Sequence, residues 1–382
     1  MARRVLICVG EKSGDQHAAN LVRELRAMDG DVIVDALGGP ELRAAGAIIH
    51  HDAVKRAAVG LSAFWRLREV WGMEKWVRGY LETSRPDLVI CVDSWAMNKR
   101  FARLGHERGV KVMYFISPQV WASREGRVKQ MGRWVDRVAC IHRFEEGYLT
   151  SRGVAATYVG HPLFDHVKAA PRRPASERYP NRPPVIGIVA GSRRRVAAVN
   201  FPRLLKVALG MKARLGNMTF RIPTTAATDP VVRSELALRG LGTSGDFAVE
   251  LDGFDRVMPE CDICLTVSGT ATLHTAAFGV PMIAVYYVNP IEWHLVGRWI
   301  VKARTFVMVN ILSGDKEKIV PEFIPWYGSV EPVTEAAMQL LNDPARQESI
   351  SGRLAELVAA VGQGGASKRA ADVAMELMGA AR

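Results

Sequence analysis

Asp93 stands directly after the apolar run 88–92, where a buried strand is expected to end. A carboxylate at the carboxyl end of a strand is well placed to act as a general base, because partial burial raises its pKa toward neutrality. The structural alternative is an aspartate that caps a helix or closes a turn. We predict that Asp93 is a catalytic base.

Residues 10–15, with the sequence GEKSGD, join the first apolar run to a helical pattern that begins near Gln16. The glycines permit a tight turn, and the start of a helix offers backbone N–H groups without helical partners. The segment is neither a Walker loop nor a GxGxxG motif. We predict Ser13 as the second catalytic residue. The alternative is a structural turn in which Ser13 or Asp15 caps the helix.

A basic turn follows the apolar run 185–189 in the second half of the sequence. It has the sequence GSRRR and contains Ser192 and Arg193. Backbone amides at a helix start, together with guanidinium groups, suit a diphosphate. We therefore predict that Ser192 and Arg193 bind phosphate, and the alternative is a solvated basic turn.

Ser268, Gly269 and Thr270 form a second turn of this kind after the apolar run 263–267. Hydroxyl groups and a glycine at a helix start suit a phosphate or a ribose. Simple N-capping by Ser268 is the alternative. If the runs are parallel strands of one sheet, both turns lie at its carboxyl edge, where open α/β sheets bind ligands.

The elements that must position these residues are short apolar runs alternating with amphipathic segments. Such alternation predicts βαβ units and a parallel sheet, and hence an α/β fold. The pattern stops in the Pro- and Arg-rich stretch 171–184 and then restarts. This interruption predicts two Rossmann-like domains, residues 1–170 and 185–349, joined by a linker.

Aromatic and basic residues alternate at helical spacing between residues 57 and 80. This composition is typical of an amphipathic helix that contacts anionic lipid, and the alternative is a helix packed in the core. The predicted acceptor and membrane residues are Leu61, Phe64, Trp65, Arg66, Arg68 and Trp71.

The composition narrows the class of protein. The chain has 382 residues, 48% of them apolar, and a net charge of +12. The charge favours anionic partners, but no nucleic-acid motif accompanies it.

We expect no membrane-spanning segment and no signal peptide. Cys261 and Cys264 form a lone CxxC without a second pair, so we expect no metal site.

Several motifs, in this order, resemble those of the lipid-A-disaccharide synthase family, and the resemblance covers nearly the whole chain. They are GEKSGD at 10–15, Val59-Gly60-Leu61, Asp93 with Asn98, YFISPQVWA at 114–122, GHPL at 160–163, GSR at 191–193, SGTATL at 268–273, Asn310-Ile311-Leu312 and VPEF at 320–323.

The resemblance implies an inverting hexosyltransferase of the GT-B architecture, with two Rossmann-like domains facing a cleft. The donor would be UDP-2,3-diacylglucosamine, and the acceptor would be 2,3-diacylglucosamine 1-phosphate. His274 and Asn310 would join the UDP-sugar site. No cofactor or metal is implied. The protein would be cytoplasmic, peripheral on the inner face of the cytoplasmic membrane, with a homodimer left open. A carboxy-terminal helix, residues 350–382, would return to the first domain.

Two positions depart from the family pattern. Val196 stands where an acidic residue usually follows GSR, and His274 stands where a Glu usually follows SGTxTL. In the family, that Glu is expected to hold the donor ribose. Two alternatives therefore remain open, a related nucleotide-sugar enzyme such as an epimerase and a non-catalytic binding protein.

Overall fold

The computed structural model describes residues 2–54, 63–121, 126–167, 172–243, 245–290, 293, 305–314 and 317–379, with the backbone alone for 63–69. The chain divides into two compact units. Unit 1 comprises Met1–His166 with Gln363–Arg382, and unit 2 comprises Val167–Gly362. Among the described residues, no helix is long and apolar enough to cross a membrane.

Unit 1 is built on a parallel seven-stranded sheet with the order β3-β2-β1-β4-β5-β6-β7. Its elements in chain order are β1 (Arg4–Val9), α1 (Lys12–Met28), β2 (Ile33–Gly38), α2 (Pro40–Ala44), β3 (Ile48–Asp52), α3 (Ala63–Ser84), β4 (Leu88–Val92), α4 (Trp95–Glu107), β5 (Lys111–Phe115), α5 (Gly126–Trp134), β6 (Arg137–Cys140), α6 (Arg143–Thr150), β7 (Ala156–Tyr158) and, after unit 2, α14 (Ala366–Gly379).

The central strands are apolar throughout because helices cover both faces of the sheet. On β1, Val5 and Ile7 lie in the cluster formed with α1 and α14. Leu6 and Cys8 point to the opposite face, where α3 and α4 cover them. Each of these four side chains is fully buried, so β1 is held on both sides and its end is fixed.

Helix α14 is anchored to unit 1 at its first turn and along its length. The carboxylate of Asp165 accepts hydrogen bonds from the backbone N–H groups of Ala366 and Ser367, at 2.8 and 2.9 Å. Arg369 donates from Nε to the carbonyl of Val159 at 2.8 Å. Because a carboxylate satisfies helix-start amides and opposes the positive end of the helix, this junction stabilises the return of the chain.

Unit 2 is built on a parallel six-stranded sheet with the order β10-β9-β8-β11-β12-β13. Its elements are β8 (Val185–Val189), α7 (Arg194–Leu215), β9 (Thr219–Thr224), α8 (Asp229–Leu238), β10 (Phe247–Leu251), α9 (Phe254–Val257), β11 (Ile263–Val267), α10 (Thr270–Ala277), β12 (Met282–Tyr287), α11 (Met308–Leu312), β13 (Glu322–Trp326), α12 (Glu331–Leu341) and α13 (Pro344–Val361).

The two parallel sheets confirm the predicted fold class, but the unit boundaries differ from the predicted ones. The sequence assigned 350–382 to the first domain, whereas α13 packs within unit 2 and only α14 belongs to unit 1. The physical reason is Gln347, whose buried amide donates to the carbonyls of Leu340 and Leu341 at the end of α12. Arg172, within the predicted linker, donates to Gln347 and to Ser351, so this stretch also packs on unit 2.

A group of buried titratable residues lies at the carboxyl end of β6 in unit 1. Glu145 accepts hydrogen bonds from Trp121 Nε1 and from the backbone N–H of His142, both at 3.2 Å. Burial raises the pKa of Glu145 from 4.5 to about 7. Burial also lowers the pKa of His142 to about 4, and that of neighbouring His161 falls well below 6.5. These imidazoles are therefore neutral near neutral pH, while Glu145 titrates there.

We predict that Asp165→Ala destabilises the attachment of α14 by about 1 kcal/mol, the usual contribution of a helix-capping side chain. Hydrogen exchange of the α14 amides should become faster by roughly fivefold. Asp372→Ala, at an exposed position of the same helix, is the matched control and should leave exchange unchanged. Equal protection in the Asp165→Ala variant and the native protein would contradict the role of this carboxylate.

We also predict that Glu145→Gln makes the fold more stable at high pH and not at low pH. The raised pKa means that the folded state binds the Glu145 proton more tightly, so its stabilisation is present below about pH 4.5 and is lost as the pH rises through about 7. Glutamine keeps an oxygen acceptor and does not titrate. The free energy of unfolding of the variant relative to the native protein should therefore rise by ~1–3 kcal/mol between about pH 5 and pH 8.

Hydrogen exchange of β6 amides at the two pH values measures this difference directly. The neutral histidines lose stability in both proteins as the pH falls below about 6.5, so their contribution cancels. Glu376→Gln, which removes an exposed carboxylate of α14, is the control. A pH-independent difference would rule out burial as the cause of the Glu145 titration.

Candidate functional site

Each sheet has one point at which its strand order reverses. In unit 1 the chain builds outward from β1 to β3 and then restarts beside β1 with β4; in unit 2 it restarts beside β8 with β11. The loops that leave these neighbouring strands diverge to opposite faces, and the crevice between them is the usual ligand site of open α/β sheets. The turns predicted from the sequence follow these strands: GEKSGD follows β1, Asp93 follows β4, GSRRR follows β8 and SGT follows β11.

Asp93 is held at the reversal point of unit 1 by its backbone. Its N–H donates to the carbonyl of Phe115 at 3.0 Å, and its carbonyl accepts from Asn98 Nδ2 at 2.9 Å and from the hydroxyl of Tyr114. Its φ is +50°, a left-handed conformation that is rare for a residue with a side chain. Buried donors thus keep Asp93 in a strained conformation at the end of β4, as is common at functional sites.

The loop after β1 approaches Asp93 closely because two of its residues lack a side chain. A Cβ on Gly10 would lie 2.9 Å from Met97 Cε and 3.0 Å from Ser94 Oγ. A Cβ on Gly14 would lie 4.0 Å from Asp93 Cβ and only 2.8 Å from a methyl group of Val9. These glycines therefore allow the start of α1 and the Asp93 turn to share one small space.

The structural alternative for the GEKSGD segment, a turn in which Ser13 or Asp15 caps α1, is not what the structure has. Helix α1 already begins at Lys12, so neither Ser13 nor Asp15 is its N-cap. Asp15 is buried, and its carboxylate accepts from the N–H groups of Gly39 and Glu41 at 2.7 and 2.9 Å. It therefore satisfies the start of α2. Ser13 is exposed in the first turn of α1, and its catalytic role stays a prediction.

The GSRRR turn of unit 2 leads from β8 into α7. Gly191 has φ of +94°, and a Cβ there would lie 2.9 Å from a methyl group of Val196. Val196, which stands where the family pattern has an acidic residue, therefore packs against this turn. The carbonyl of Ser192 accepts from Thr225 Oγ1 at 3.4 Å, and the side chain of Arg193 is exposed at the N-cap of α7. The turn presents helix-start amides and guanidinium charge at the sheet edge.

The SGT turn of unit 2 leads from β11 into α10, and its first serine is engaged within the protein. Ser268 Oγ donates to the carbonyl of Phe306 at 2.6 Å. Gly269 has φ of +143°, which favours glycine, and Thr270 is the first residue of α10. Ser268 does not cap the helix, since no side-chain cap accompanies Gly269.

Asn310, which the resemblance places in the UDP-sugar site, is buried and hydrogen-bonded within unit 2, and its role at that site stays a prediction. Its buried amide donates to the carbonyl of Val320 at 3.0 Å and accepts from the N–H of Val320 at 3.0 Å. The same amide donates to Glu322 at 3.2 Å. These bonds use both the oxygen and the nitrogen of the side-chain amide. Asn310 therefore connects α11 to the start of β13.

His274 lies on α10, one turn after the SGT segment, and is held by two neighbours from α9. Its Nε2 lies 2.6 Å from Asp255 Oδ1. Its ring stacks on Phe254, with centroids 4.0 Å apart and planes at 16°. Burial lowers the pKa of His274, and the Asp255 carboxylate opposes this shift. Sequence reasoning missed both partners, because Phe254 and Asp255 carry no motif.

Part of the aromatic segment 57–80 lies outside the residues that the structure describes. Leu61 lies outside the described residues, as do the side chains of Phe64, Trp65, Arg66 and Arg68. On the described part of α3, Trp71 is 63% exposed. Trp76, one turn later, instead stacks against Tyr80 and His50 at centroid distances of 4.9 and 4.5 Å. The part of α3 whose side chains are described, from residue 70 onward, therefore has one exposed and one packed tryptophan.

A metal centre does not emerge from the part of the chain that the structure describes, where no group of three or more His, Cys, Asp or Glu side chains converges. All five cysteines are free and buried. Burial raises the pKa of both Cys261 and Cys264, which makes them poor thiolate ligands.

Comparison with known proteins identifies the family. The family model described as lipid-A-disaccharide synthetase matches residues 5–376. A lipid-A-disaccharide synthase of Geobacter sulfurreducens is 36% identical, with 99% of this chain and 98% of that protein aligned.

Two solved structures share the architecture. The Neisseria meningitidis UDP-GlcNAc 2-epimerase bound to UDP-GlcNAc has a TM-score of 0.63 at 14% identity, covering 98% of this chain and 100% of that one. The S. aureus MnaA–UDP complex has a TM-score of 0.62 at 15% identity, covering 96% and 94%. These likenesses concern the fold, whereas the family model and the sequence relatives extend over almost the full length; the chain belongs to the lipid-A-disaccharide synthetase family.

Proposed function

We propose that this chain joins two acylated sugars by inverting glycosyl transfer. The donor is UDP-2,3-diacylglucosamine, the acceptor is 2,3-diacylglucosamine 1-phosphate, and the products are the β-1,6-linked disaccharide 1-phosphate and UDP. The family assignment over residues 5–376 carries this proposal. The placement of the polar turns at the reversal points of both sheets is consistent with it.

In this reaction Asp93 acts as the general base. The acceptor hydroxyl oxygen forms a bond to the anomeric carbon on the face opposite UDP, and its proton passes to the Asp93 carboxylate as the bond to UDP breaks. A base must be fixed in position to contribute. Asn98 and Tyr114 donate hydrogen bonds to the carbonyl of Asp93, and the N–H of Asp93 donates to the carbonyl of Phe115. These bonds to the backbone provide that restraint.

The departing UDP gains negative charge, which the turns of unit 2 stabilise. Arg193 and the amides near Ser192 contribute at the start of α7, and those of Gly269 and Thr270 contribute at the start of α10. Donors fixed before the reaction stabilise a developing charge without reorganisation, and this is usually the largest catalytic contribution.

Helix α3 provides the contact with the membrane surface, on the inner face of the cytoplasmic membrane where acylated sugars are used. Trp71 is exposed, and the exposed cations Lys75 and Arg78 follow it on the same side at helical spacing. An aromatic ring with cations one and two turns away suits the interface of an anionic bilayer.

We expect Asp93→Asn to lower turnover by ~10²–10⁴-fold, the usual contribution of a general base. UDP affinity should be unchanged, because the variant keeps the size of the side chain and UDP binds to unit 2. The measurement is disaccharide formation from defined acylated donor and acceptor, beside calorimetric titration of UDP. Asp31→Asn, at an exposed turn of unit 1, is the control.

Native turnover in the Asp93→Asn variant would exclude the general-base role. The same assay distinguishes the alternative functions. An epimerase would convert the donor sugar without consuming acceptor, and a binding protein would release no UDP.

We expect Trp71→Ser to weaken binding to anionic vesicles roughly tenfold, since a buried apolar side chain contributes ~1.5–3 kcal/mol. The thermal unfolding temperature should not change, because Trp71 is exposed. Trp76→Ser is the matched variant: it should lower the unfolding temperature, because it removes the contacts with His50 and Tyr80. Co-sedimentation and circular dichroism melts separate the outcomes, and native vesicle binding in Trp71→Ser would contradict the surface contact.

A further inference from the structure

The turn that follows β5 in unit 1 is strained and lies beside the turn at Asp93. Ile116 has φ of +64°, a left-handed conformation that is an outlier for a β-branched residue. Its N–H donates to the carbonyl of Ala139 on β6 at 3.1 Å, and Val120, four residues later, is buried in the core. The loop is therefore fixed at both of its ends, and Trp121 follows it directly.

Glu145, in the first turn of α6, holds the indole of Trp121. Its Oε1 accepts a hydrogen bond from Trp121 Nε1, and its Oε2 accepts from the N–H of His142, both at 3.2 Å. The buried hydroxyl of Ser117 lies beside the same carboxylate. Capping of α6 explains only the bond to His142, because the bond to Trp121 links this helix to a loop 24 residues earlier.

Trp121 and Phe144 form an aromatic pair at the carboxyl edge of the sheet. Their ring centroids are 5.2 Å apart and their planes lie at 80°, the edge-to-face arrangement that aromatic pairs prefer. The buried imidazole of His142 lies parallel to Phe144, with centroids 5.8 Å apart and planes at 4°. Phe144 is 38% exposed, and Trp121 is partly exposed. The pair is therefore fixed in orientation and keeps an apolar surface toward solvent.

The position of this pair relative to Asp93 suits a sugar. Asp93 follows β4, whereas the pair follows β5 and β6, which are the next two strands of the same sheet. Neighbouring strands lie about 4.8 Å apart, so the ends of β4 and β6 are separated by about 10 Å. A substituted sugar ring whose hydroxyl meets Asp93 would extend over the ends of β5 and β6. The C–H face of such a ring is apolar, and rigid aromatic rings can cover it.

We infer that Glu145 is a positioning residue for the acceptor, because it holds Trp121 so that the indole and Phe144 form the surface on which the acceptor sugar ring packs. Trp121 and Phe144 contact the substrate, whereas Glu145 acts through Trp121. The inference rests on the proposed glycosyl transfer. It gives a function to Trp121 of the YFISPQVWA segment, to which the proposed reaction assigns none.

The surroundings of Glu145 make this arrangement sensitive to protonation. Trp121 Nε1 and the backbone N–H groups of Ile141 and His142 can only donate, so all of them require an ionised carboxylate. A protonated carboxyl must itself donate, and of these groups and the Ser117 hydroxyl only the hydroxyl can accept. Burial raises the pKa of Glu145 to about 7. The bond to the indole is therefore complete above pH 7 and weakens as the pH falls below it.

Four other titratable groups surround Glu145. Burial lowers the pKa of His142 to about 4 and that of His161 well below 6.5, so both imidazoles stay neutral near pH 7. Burial raises the pKa of the Cys140 thiol, which stays protonated there. Glu146 is the next residue of α6 and is partly exposed, and a variant at this position measures its contribution separately.

The test is the rate of disaccharide formation from UDP-2,3-diacylglucosamine and 2,3-diacylglucosamine 1-phosphate, with kcat and the KM for each substrate. At about pH 8, Glu145→Gln should raise the acceptor KM by about 3- to 10-fold, the equivalent of one hydrogen bond, because an amide cannot accept from every donor. Phe144→Ala, which shortens an exposed side chain, should raise it by a similar factor. The donor KM and kcat should stay native, because the lost contact binds ground state and transition state alike.

A second measurement at about pH 6 separates positioning from a purely structural role. Glu145 is then largely protonated in the native protein, so the ratio of the acceptor KM of Glu145→Gln to that of the native protein should fall toward one. Titration of Asp93 and of the acceptor phosphate affects both proteins and cancels in this ratio. A carboxylate that only stabilised the fold would change the unfolding temperature without a pH-dependent KM ratio.

Glu146→Gln is the matched control, since the Glu146 carboxylate accepts from the backbone N–H of Tyr158 at 2.9 Å instead of from an aromatic side chain. It should keep the native KM at both pH values. Trp121→Phe keeps an aromatic ring but removes the N–H donor. It should raise the acceptor KM, and adding Glu145→Gln to it should have no further effect, because the two residues act as one unit.

The outcomes distinguish this inference from the proposed function. Native acceptor KM in both Phe144→Ala and Trp121→Phe would overturn the inference even if Glu145→Gln failed to fold, while disaccharide formation would still support the proposed function. A KM ratio that does not change with pH would also overturn it. So would an effect that disappears with an acceptor of short acyl chains, since it would place an acyl chain, and not the sugar ring, on the aromatic pair. A native protein that forms no disaccharide would overturn both proposals.

Discussion

The reversal of strand order in each sheet is the constraint on which the arrangement of polar residues depends. A parallel strand delivers its chain to the carboxyl edge, and the following helix must turn to one face of the sheet. Only where neighbouring strands send their helices to opposite faces does the edge stay open. In unit 1 this occurs between β1 and β4, and in unit 2 between β8 and β11. Strands buried on both faces hold these edges rigid, so strained turns such as the one at Asp93 persist.

The sequence predicts the strands well where burial is complete and misses two of the four edge strands that the structure describes. Runs such as 5–9, 185–189 and 263–267 coincide with strands of the structure because both faces of those strands are apolar. Strands β3 and β13 were missed. β3 reads IIHHD, with partly exposed side chains, and β13 contains Pro325, which has no N–H to donate to a neighbouring strand. Each of these two strands has one neighbour in its sheet and lacks a continuous apolar run.

Site positions could be read from sequence only in part. The turns after β1, β4, β8 and β11 follow from patterning, and the family resemblance supplies the order of their motifs. The engagement of individual side chains does not follow. Asp15 and Asn310 are polar residues of recognisable motifs, yet the side chain of each accepts a hydrogen bond from a backbone N–H ten or more residues away. Asp255 shows the reverse, since it has no motif and meets His274 only because α9 packs beside α10. Such pairings depend on tertiary contacts.

The return of α14 to unit 1 has a bearing on how the chain is made. The apolar cluster under β1 includes Ala370, Ala374 and Met378, which follow the whole of unit 2 in the chain. Domains generally fold in order as the chain emerges, but here the sheet of unit 1 lacks part of its cover until the whole of unit 2 has been synthesised. Unit 2 is contiguous in sequence from Val167 to Gly362, so all its strands are synthesised before α14. The second unit can therefore complete its core before the first, and an interrupted message would leave the amino-terminal sheet with an exposed apolar face, a substrate for chaperones and proteases.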